Sequence, residues 1–293
     1  MKRLSEKEAW ILATRPKTLP AALGPVLLGT AAATSMGKFH FLSALLALTT
    51  ALLLQIAVNL ANDYFDAKAG HDTDKRLGPL RVTQSGLIPA QKVLAAMIFC
   101  MVLAFFSGLY LIFRGGLPAL GIALFSLLGV LTYSAGPFPM TEKALGEGAA
   151  FFFFGPVAVC GTVWVMGLTF SLSAFTASIP AGMLIAAILS VNNIRDMEND
   201  AATGKRTLAV RMGPIPSRYL FTALVAGAYL FPLTLALFTT PWMLLVFFSL
   251  PKALVVIQSI WHMDGKLLNE VLADTAQLSF FFCLFYGLGL LIG

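Results

Sequence analysis

The chain has 293 residues, 58% of them hydrophobic and 12% charged, with a net charge of +6. Soluble domains carry about 25% charged residues, so this composition excludes a soluble globular domain, a disordered chain and a coiled coil, and indicates a polytopic membrane protein. Cys100, Cys160 and Cys283 each stand alone in an apolar run without a CxxC or histidine partner, which excludes a disulfide scaffold and reads as three small buried hydrophobes.

Residues 1–17 are polar and end in Arg15-Pro16-Lys17, a short cytoplasmic tail before an uncleaved first span. Apolar runs of about 18 to 22 residues, each able to cross a ~30 Å hydrocarbon core, then recur. The nine runs cover residues 18–36, 41–61, 93–113, 117–135, 148–167, 172–192, 219–239, 242–260 and 274–292. They make a single polytopic domain over 1–293, with polar cap loops at about 62–92 and 193–218. Phe151–Phe154 opens the fifth span as a cavity wall or a lipid-facing run. Lys252 lies inside the eighth, where it meets an acidic substrate or snorkels to the surface.

Charge sets the orientation. With the N-terminus in the cytoplasm, only Lys38 and Arg114 of the twenty Lys and Arg lie outside and Lys252 lies within a span, leaving seventeen inside. This is a positive-inside pattern for the cell (inner) membrane, with the C-terminus outside. The net positive charge then needs no nucleic-acid partner. The fourteen acidic residues also fall on the inner face, which topology does not require.

The second span ends in Gln55-Ile-Ala-Val-Asn59-Leu-Ala-Asn62-Asp63-Tyr-Phe-Asp66, and the sixth in Asn192-Asn193-Ile-Arg195-Asp196-Met-Glu198-Asn199-Asp200. Each holds Asn-x3-Asp with another Asp three or four residues on. Four helices apart, the copies have the same sense, so the fold class is an all-α membrane protein of two parallel four-helix repeats plus a ninth helix. Residues four apart share a helix face, so Gln55, Asn59 and Asp63 form one polar stripe and Asn192, Asp196 and Asp200 the other. If both face one cavity, Asp63, Asp66, Asp196 and Asp200 converge there and need cations to stay ionised. An all-oxygen set suits Mg²⁺, which leaves positions for phosphate. Lys68, Lys75, Arg76 and Arg81 follow the first motif, and Arg195, Lys205 and Arg206 flank or follow the second, so each is a diphosphate contact or a solvated loop residue.

These motifs resemble the UbiA superfamily of intramembrane aromatic prenyltransferases, and within it the menaquinone-pathway branch that acts on 1,4-dihydroxy-2-naphthoate. The resemblance rests on Arg15-Pro-Lys-Thr-Leu-Pro-Ala-Ala, Asn62-Asp-Tyr-Phe-Asp66 through Asp72-Thr-Asp74, and Arg76-Leu-Gly-Pro-Leu-Arg81-Val-Thr-Gln-Ser-Gly-Leu-Ile88. Tyr133-Ser-Ala-Gly-Pro137 and Asn192-Asn-Ile-Arg-Asp196-x3-Asp200-x3-Gly204-Lys-Arg-Thr207 complete it. It departs from the superfamily's NDxxDxxxD at Gly70, the next acid being Asp72, which is then a metal-site member or a lid residue.

The resemblance implies nine helices around a central cavity open sideways to the lipid bilayer, with the site near the cytoplasmic face. It implies Mg²⁺ as cofactor, and polyprenyl diphosphate and an aromatic acid, 1,4-dihydroxy-2-naphthoate, as substrates. Asn62, Asp63, Asp66, Asp196 and Asp200 inherit the metal–diphosphate role, the four aspartates as catalytic residues. Asn59 and Asn192 inherit a supporting role, and Tyr133 a pocket position that competes with an aromatic-belt reading. The products would be a demethylmenaquinol-type ring, pyrophosphate and carbon dioxide. A sibling enzyme with another acceptor is the nearest rival; an ion or metabolite transporter would instead place charges deep in several spans.

Overall fold

A computed structural model describes residues 5–73, 76–136 and 139–293. Asp74, Lys75 and Pro137 of the motifs above lie outside the described residues. Within them the chain is helical, without strands.

A short helix, α1 (Glu6–Thr14), starts at a capping box in which Ser5 and Glu8 satisfy each other's backbone N–H. It ends at Arg15, a non-glycine residue in the left-handed region (φ 51°). A 3₁₀ turn over Pro16–Thr18 leads into α2 (Pro20–Ser35), which is 16 residues long. Next come α3 (Phe41–Ala69), α4 (Ala90–Ser134), α5 (Gly146–Gly167), α6 (Leu172–Ala202), α7 (Pro214–Phe238), α8 (Pro241–His262) and α9 (Gly265–Ile292). These seven are long and apolar enough to cross a membrane.

Two helices depart from regular geometry where the sequence requires it. In α4, Gly116 adopts φ 63° and ψ −153° two residues before Pro118, which breaks the 45-residue helix. In α5, Phe153–Val157 widens into a π turn around Pro156.

The most apolar stretch of α6 is 72% buried and that of α4 only 22%, so α6 is the inner helix and α4 lies at the periphery. Phe106, Phe113 and Leu117 of α4 stay exposed, as a lipid-facing surface allows. The largest core packs α2, α5 and α6 to α9 through Leu28, Val163, Leu184, Phe221, Val256 and Phe282. A second core joins α1, α3 and α4 through Ala9, Leu60, Val93 and Met97. α5 and α6 touch backbone to backbone, since a Cβ on Gly155 would lie 2.6 Å from the Ser178 carbonyl oxygen and one on Gly182 2.5 Å from that of Phe151.

Both acidic motifs stay helical. α3 runs on past its apolar stretch through Asp66 and stops where Gly70 takes φ 74°. α6 likewise continues to Ala202. The polar segments between helices therefore begin after the motifs, at 70 and 203.

Two cations find structural partners. Arg114 donates from Nε and Nη2 to the Val165 and Met166 carbonyls, 2.9 and 3.0 Å, capping α5. Lys252 donates to Asp274 at 2.8 Å, tying α8 to α9. It does not line the central cavity, which removes the substrate role read from sequence, and a neighbouring helix supplies its counter-ion.

Candidate active site

A deep cavity runs from the acidic ends of α3 and α6 into the bundle. Its far part is apolar, lined by residues such as Leu54, Phe105, Leu111, Ile122, Phe153 and Phe154. The Phe151–Phe154 run therefore divides its labour: Phe153 and Phe154 face the cavity while Phe152 is 45% exposed. Phe153 stacks on Phe125 at 4.9 Å.

The two motifs are neighbours. Lys205, beyond the end of α6, donates to Asp66 Oδ1 of α3 at 3.3 Å. Arg76, in the segment after α3, pairs with Asp72 at 3.2 Å and donates to Asp196 of α6 at 3.3 Å. Arg81 donates to Asp66 Oδ2 at 3.0 Å and approaches Asp72 at 3.4 Å. Arg195 binds Asp196 with Nε and Nη2, at 3.0 and 2.6 Å, and also donates to Asn192 at 2.7 Å. Asp66, Asp72, Asp196 and Asp200 are all buried; the first three pair directly with these cations, and Lys205 and Arg76 act on Asp200 at longer range.

The predicted residues separate into two groups. Asn59, Asn62, Asp66, Arg81, Tyr133, Asn192, Asp196, Asp200 and Lys205 all line the cavity. Asp63, Lys68 and Arg206 do not. Asp63 is buried behind the wall, its Oδ2 and Oδ1 accepting the backbone N–H of Val82 and Thr83 at 3.1 and 2.9 Å. It anchors the turn that carries Arg81. Lys68 is exposed on the last turn of α3, where a cation complements the helix dipole. Arg206 is exposed next to the half-buried Lys205.

Asn59 supports rather than contacts the metal motif. Its amide donates to the Thr14 carbonyl at 3.0 Å and to Thr18 Oγ1 at 3.3 Å, while Gln55 donates to its Oδ1. Asn62 accepts from the Ser134 hydroxyl, which docks α4 on α3.

Other residues were not assigned from sequence. Arg15, Thr18, His71 and Asn199 line the cavity. Asn199 donates to the His71 carbonyl at 2.9 Å, and His71 meets Glu142 at 3.1 Å, closing the loop end. Glu147 is buried and accepts from Asn193 at 2.8 Å. Arg15 carried a readable signal, a cation at the threshold of the first apolar run. His71 and Glu147 carried none, since only folding brings their partners near.

Asp72 belongs to the site. Burial pushes its carboxyl up to about 7; Asp66 and Asp63 add to the shift, against the opposing charges of Arg76 and Arg15. Lys205 is raised: burial acts to lower it, but Asp66 and Asp200 outweigh burial.

The donors suit a hard cation. They are all oxygen, from carboxylates and the Asn62 and Asn192 amides, and Asp72 Oδ2 is buried without a hydrogen-bond partner. Among the described residues no three acidic, imidazole or thiol groups form a closed metal cage. Mg²⁺ does not require one, since it takes one or two carboxylates and completes its shell with water and phosphate.

Comparison with known proteins gives the family and the fold. The model of the UbiA prenyltransferase family matches residues 22–286. A 1,4-dihydroxy-2-naphthoate octaprenyltransferase of Mycobacterium tuberculosis is 37% identical, over 91% of each chain. The protein of the same description from Haemophilus influenzae is 33% identical, over 100% of this chain and 99% of its own. Among solved structures, a UbiA homolog from Archaeoglobus fulgidus bound to GPP and Mg²⁺ superposes with a TM-score of 0.68. It is 17% identical, and the match covers 97% of this chain and all of that one.

Proposed function

The chain belongs to the UbiA prenyltransferase family, and from that premise we propose that it transfers a polyprenyl group from polyprenyl diphosphate to 1,4-dihydroxy-2-naphthoate, with loss of carbon dioxide. The observation that carries this reading is the joining of two acid-and-cation helix ends over one apolar cavity, by Lys205–Asp66 and Arg76–Asp196. Near full-length relatives described as naphthoate octaprenyltransferases support the acceptor.

Arg76, Arg81 and Lys205 exchange carboxylate partners for diphosphate oxygens as the donor binds, and they stabilise charge growing on the leaving oxygen. Asn62, Asp66, Asp196 and Asp200 are the residues we assign to Mg²⁺, with Asp72 and Asn192 beside them and Asp63 holding the Arg81 turn behind. When bound, the ion supplies Lewis-acid neutralisation of the diphosphate. The allylic C–O bond breaks with its electron pair going to pyrophosphate, and the ring carbon supplies the pair for the new C–C bond. The C–CO₂ bond then returns its pair to the ring, so no side chain has to remove a proton from that carbon. Phe153, Phe154 and the apolar walls keep water from the allylic cation.

We further read nine crossings, counting α4 twice at its Gly116 break and adding the 16-residue α2. The arrangement is two parallel four-helix repeats and α9, set in the cell membrane with the site on the cytoplasmic side by the positive-inside bias. Incubation of the purified protein with Mg²⁺, a polyprenyl diphosphate and several aromatic acids, followed by mass spectrometry, tests the reaction. Prenylated, decarboxylated naphthoate is the expected product. Turnover of a different acid alone would move the assignment to a sibling enzyme.

A further inference from the structure

Arg15 is the one Lys or Arg among the described cavity-lining residues with no carboxylate within salt-bridge distance; Arg76, Arg81 and Lys205 each have one. The residue as a whole is half-buried, and its Nη2 is buried without a hydrogen-bond partner. Asp63, Asp66 and Asp72 act on Arg15 at longer range but none pairs with it directly, and a buried donor without a partner is costly, so this side chain has a free position for an anion that arrives from outside the chain.

The backbone is arranged to hold it there. Arg15 adopts φ 51°, a left-handed conformation that a residue with a Cβ rarely takes. Four hydrogen bonds fix it: Arg15 N–H to the Leu12 carbonyl at 3.1 Å, Thr18 N–H to the Arg15 carbonyl at 2.9 Å, and Asn59 to both Thr14 and Thr18. Asn59 lies one turn of α3 before Asp63, farther from the loop end. The turn bearing Arg15 is thus docked between the acidic ends and the apolar part of the cavity. Thr18, Gln55, Asn59 and Tyr133 line the cavity with it and form a collar of neutral polar groups, while the charged groups of the loop end act on Arg15 at longer range.

We propose that Arg15 is the receptor for the acceptor's carboxylate, a subsite for an aromatic acid between the diphosphate end and the prenyl slot. The proposal rests on the prenyl-transfer reading of the site. A diphosphate already has Arg76, Arg81 and Lys205 at the loop end, whereas the acceptor brings one planar carboxylate that matches a guanidinium fork. The collar's hydroxyls and amides suit ring hydroxyls.

The test measures equilibrium binding of 1-hydroxy-2-naphthoate, by its fluorescence, and of 1-naphthol as the carboxylate-free control. It uses detergent-purified wild type, Arg15→Lys and Arg15→Gln without donor, and turnover then gives the KM for each substrate. In wild type the acid binds better than the naphthol. Arg15→Gln lowers affinity for the acid by about tenfold or more, as expected for a lost hydrogen-bonded charge, and leaves that for the naphthol unchanged. Arg15→Lys recovers part of the preference, which a merely structural role of the turn would not produce. The acceptor KM rises while the donor KM does not. Retained preference for the acid in Arg15→Gln, or a rise confined to the donor KM, overturns the assignment. A wild type that binds the acid selectively but forms no prenylated product would refute the proposed reaction and not this subsite.

Discussion

The Lys205 ammonium lies 3.3 Å from Asp66 although 139 residues separate them. This contact and the Arg76–Asp196 pair hold the two acidic helices at the distance of one shared ligand. Neutralising Asp66 removes the partner of both Lys205 and Arg81. Asp66→Asn is expected to reduce prenyl transfer by a hundredfold or more, roughly the loss seen when one electrostatic stabiliser of a transition state is removed. The protein should still insert and elute as wild type in size-exclusion chromatography. Full turnover would remove Asp66 from the mechanism.

The cations give a sharper contrast, because sequence ranked Arg81 and Arg206 alike and the structure does not. Arg76 is half-buried between Asp72 and Asp196, while Arg206 is exposed. Arg76→Gln should raise the donor KM by about tenfold or more, the worth of a charge-assisted hydrogen bond. Arg206→Gln and Lys68→Gln should leave it unchanged. Equal effects of all three would mean that the loop end closes differently around the donor.

What sequence disclosed follows from which interactions are local. Helix periodicity alone placed Gln55, Asn59, Asn192, Asp196 and Asp200 on inward faces, since side chains four apart share a face whatever the tertiary fold. The break in α4 was also readable, because Gly116 and Pro118 act within a few residues. Asp63 was not: its spacing marks it as a ligand, but a turn nineteen residues later covers it with two backbone N–H groups. For Lys252 the substrate role fails, and its ion-pair partner Asp274 was not legible, since it lies on the next helix and only packing pairs them. Glu142 and Glu147 were invisible for the same reason.

Asp72 makes stability depend on pH in a direction opposite to that of an ordinary salt-bridged aspartate. Its carboxyl stands at about 7 against an ordinary 3.8, mainly through burial. The folded state therefore holds more protons than the unfolded state between these values. Its contribution is fully present below the lower value and is lost as pH rises through the upper one. Asp72→Asn keeps the neutral shape at every pH. In metal-free, ligand-free protein the melting temperature of Asp72→Asn relative to wild type should climb between about pH 4 and about pH 7 and level off above that. A flat difference would show that Asp72 ionises normally.

The far cavity should set which donors fit. Gly108 lines it, and a Cβ built there meets nothing within 4 Å, so a side chain at this position would project into the slot without striking the wall. Gly155 is the opposite case, because its Cβ would strike the Ser178 carbonyl oxygen at 2.6 Å. Gly108→Leu is thus expected to fold normally and to occupy space that a prenyl chain needs. Its kcat/KM should fall for long donors by about tenfold, on the order of the 1–3 kcal/mol that a bulky apolar group changes in a fitted pocket, while a ten-carbon donor is little affected. Gly155→Ala should instead lower thermal stability by forcing α5 away from α6, with donor preference unchanged in the protein that remains folded. If Gly108→Leu slowed short and long donors equally, the prenyl chain would not run past α4, and the apolar end of the cavity would serve packing alone.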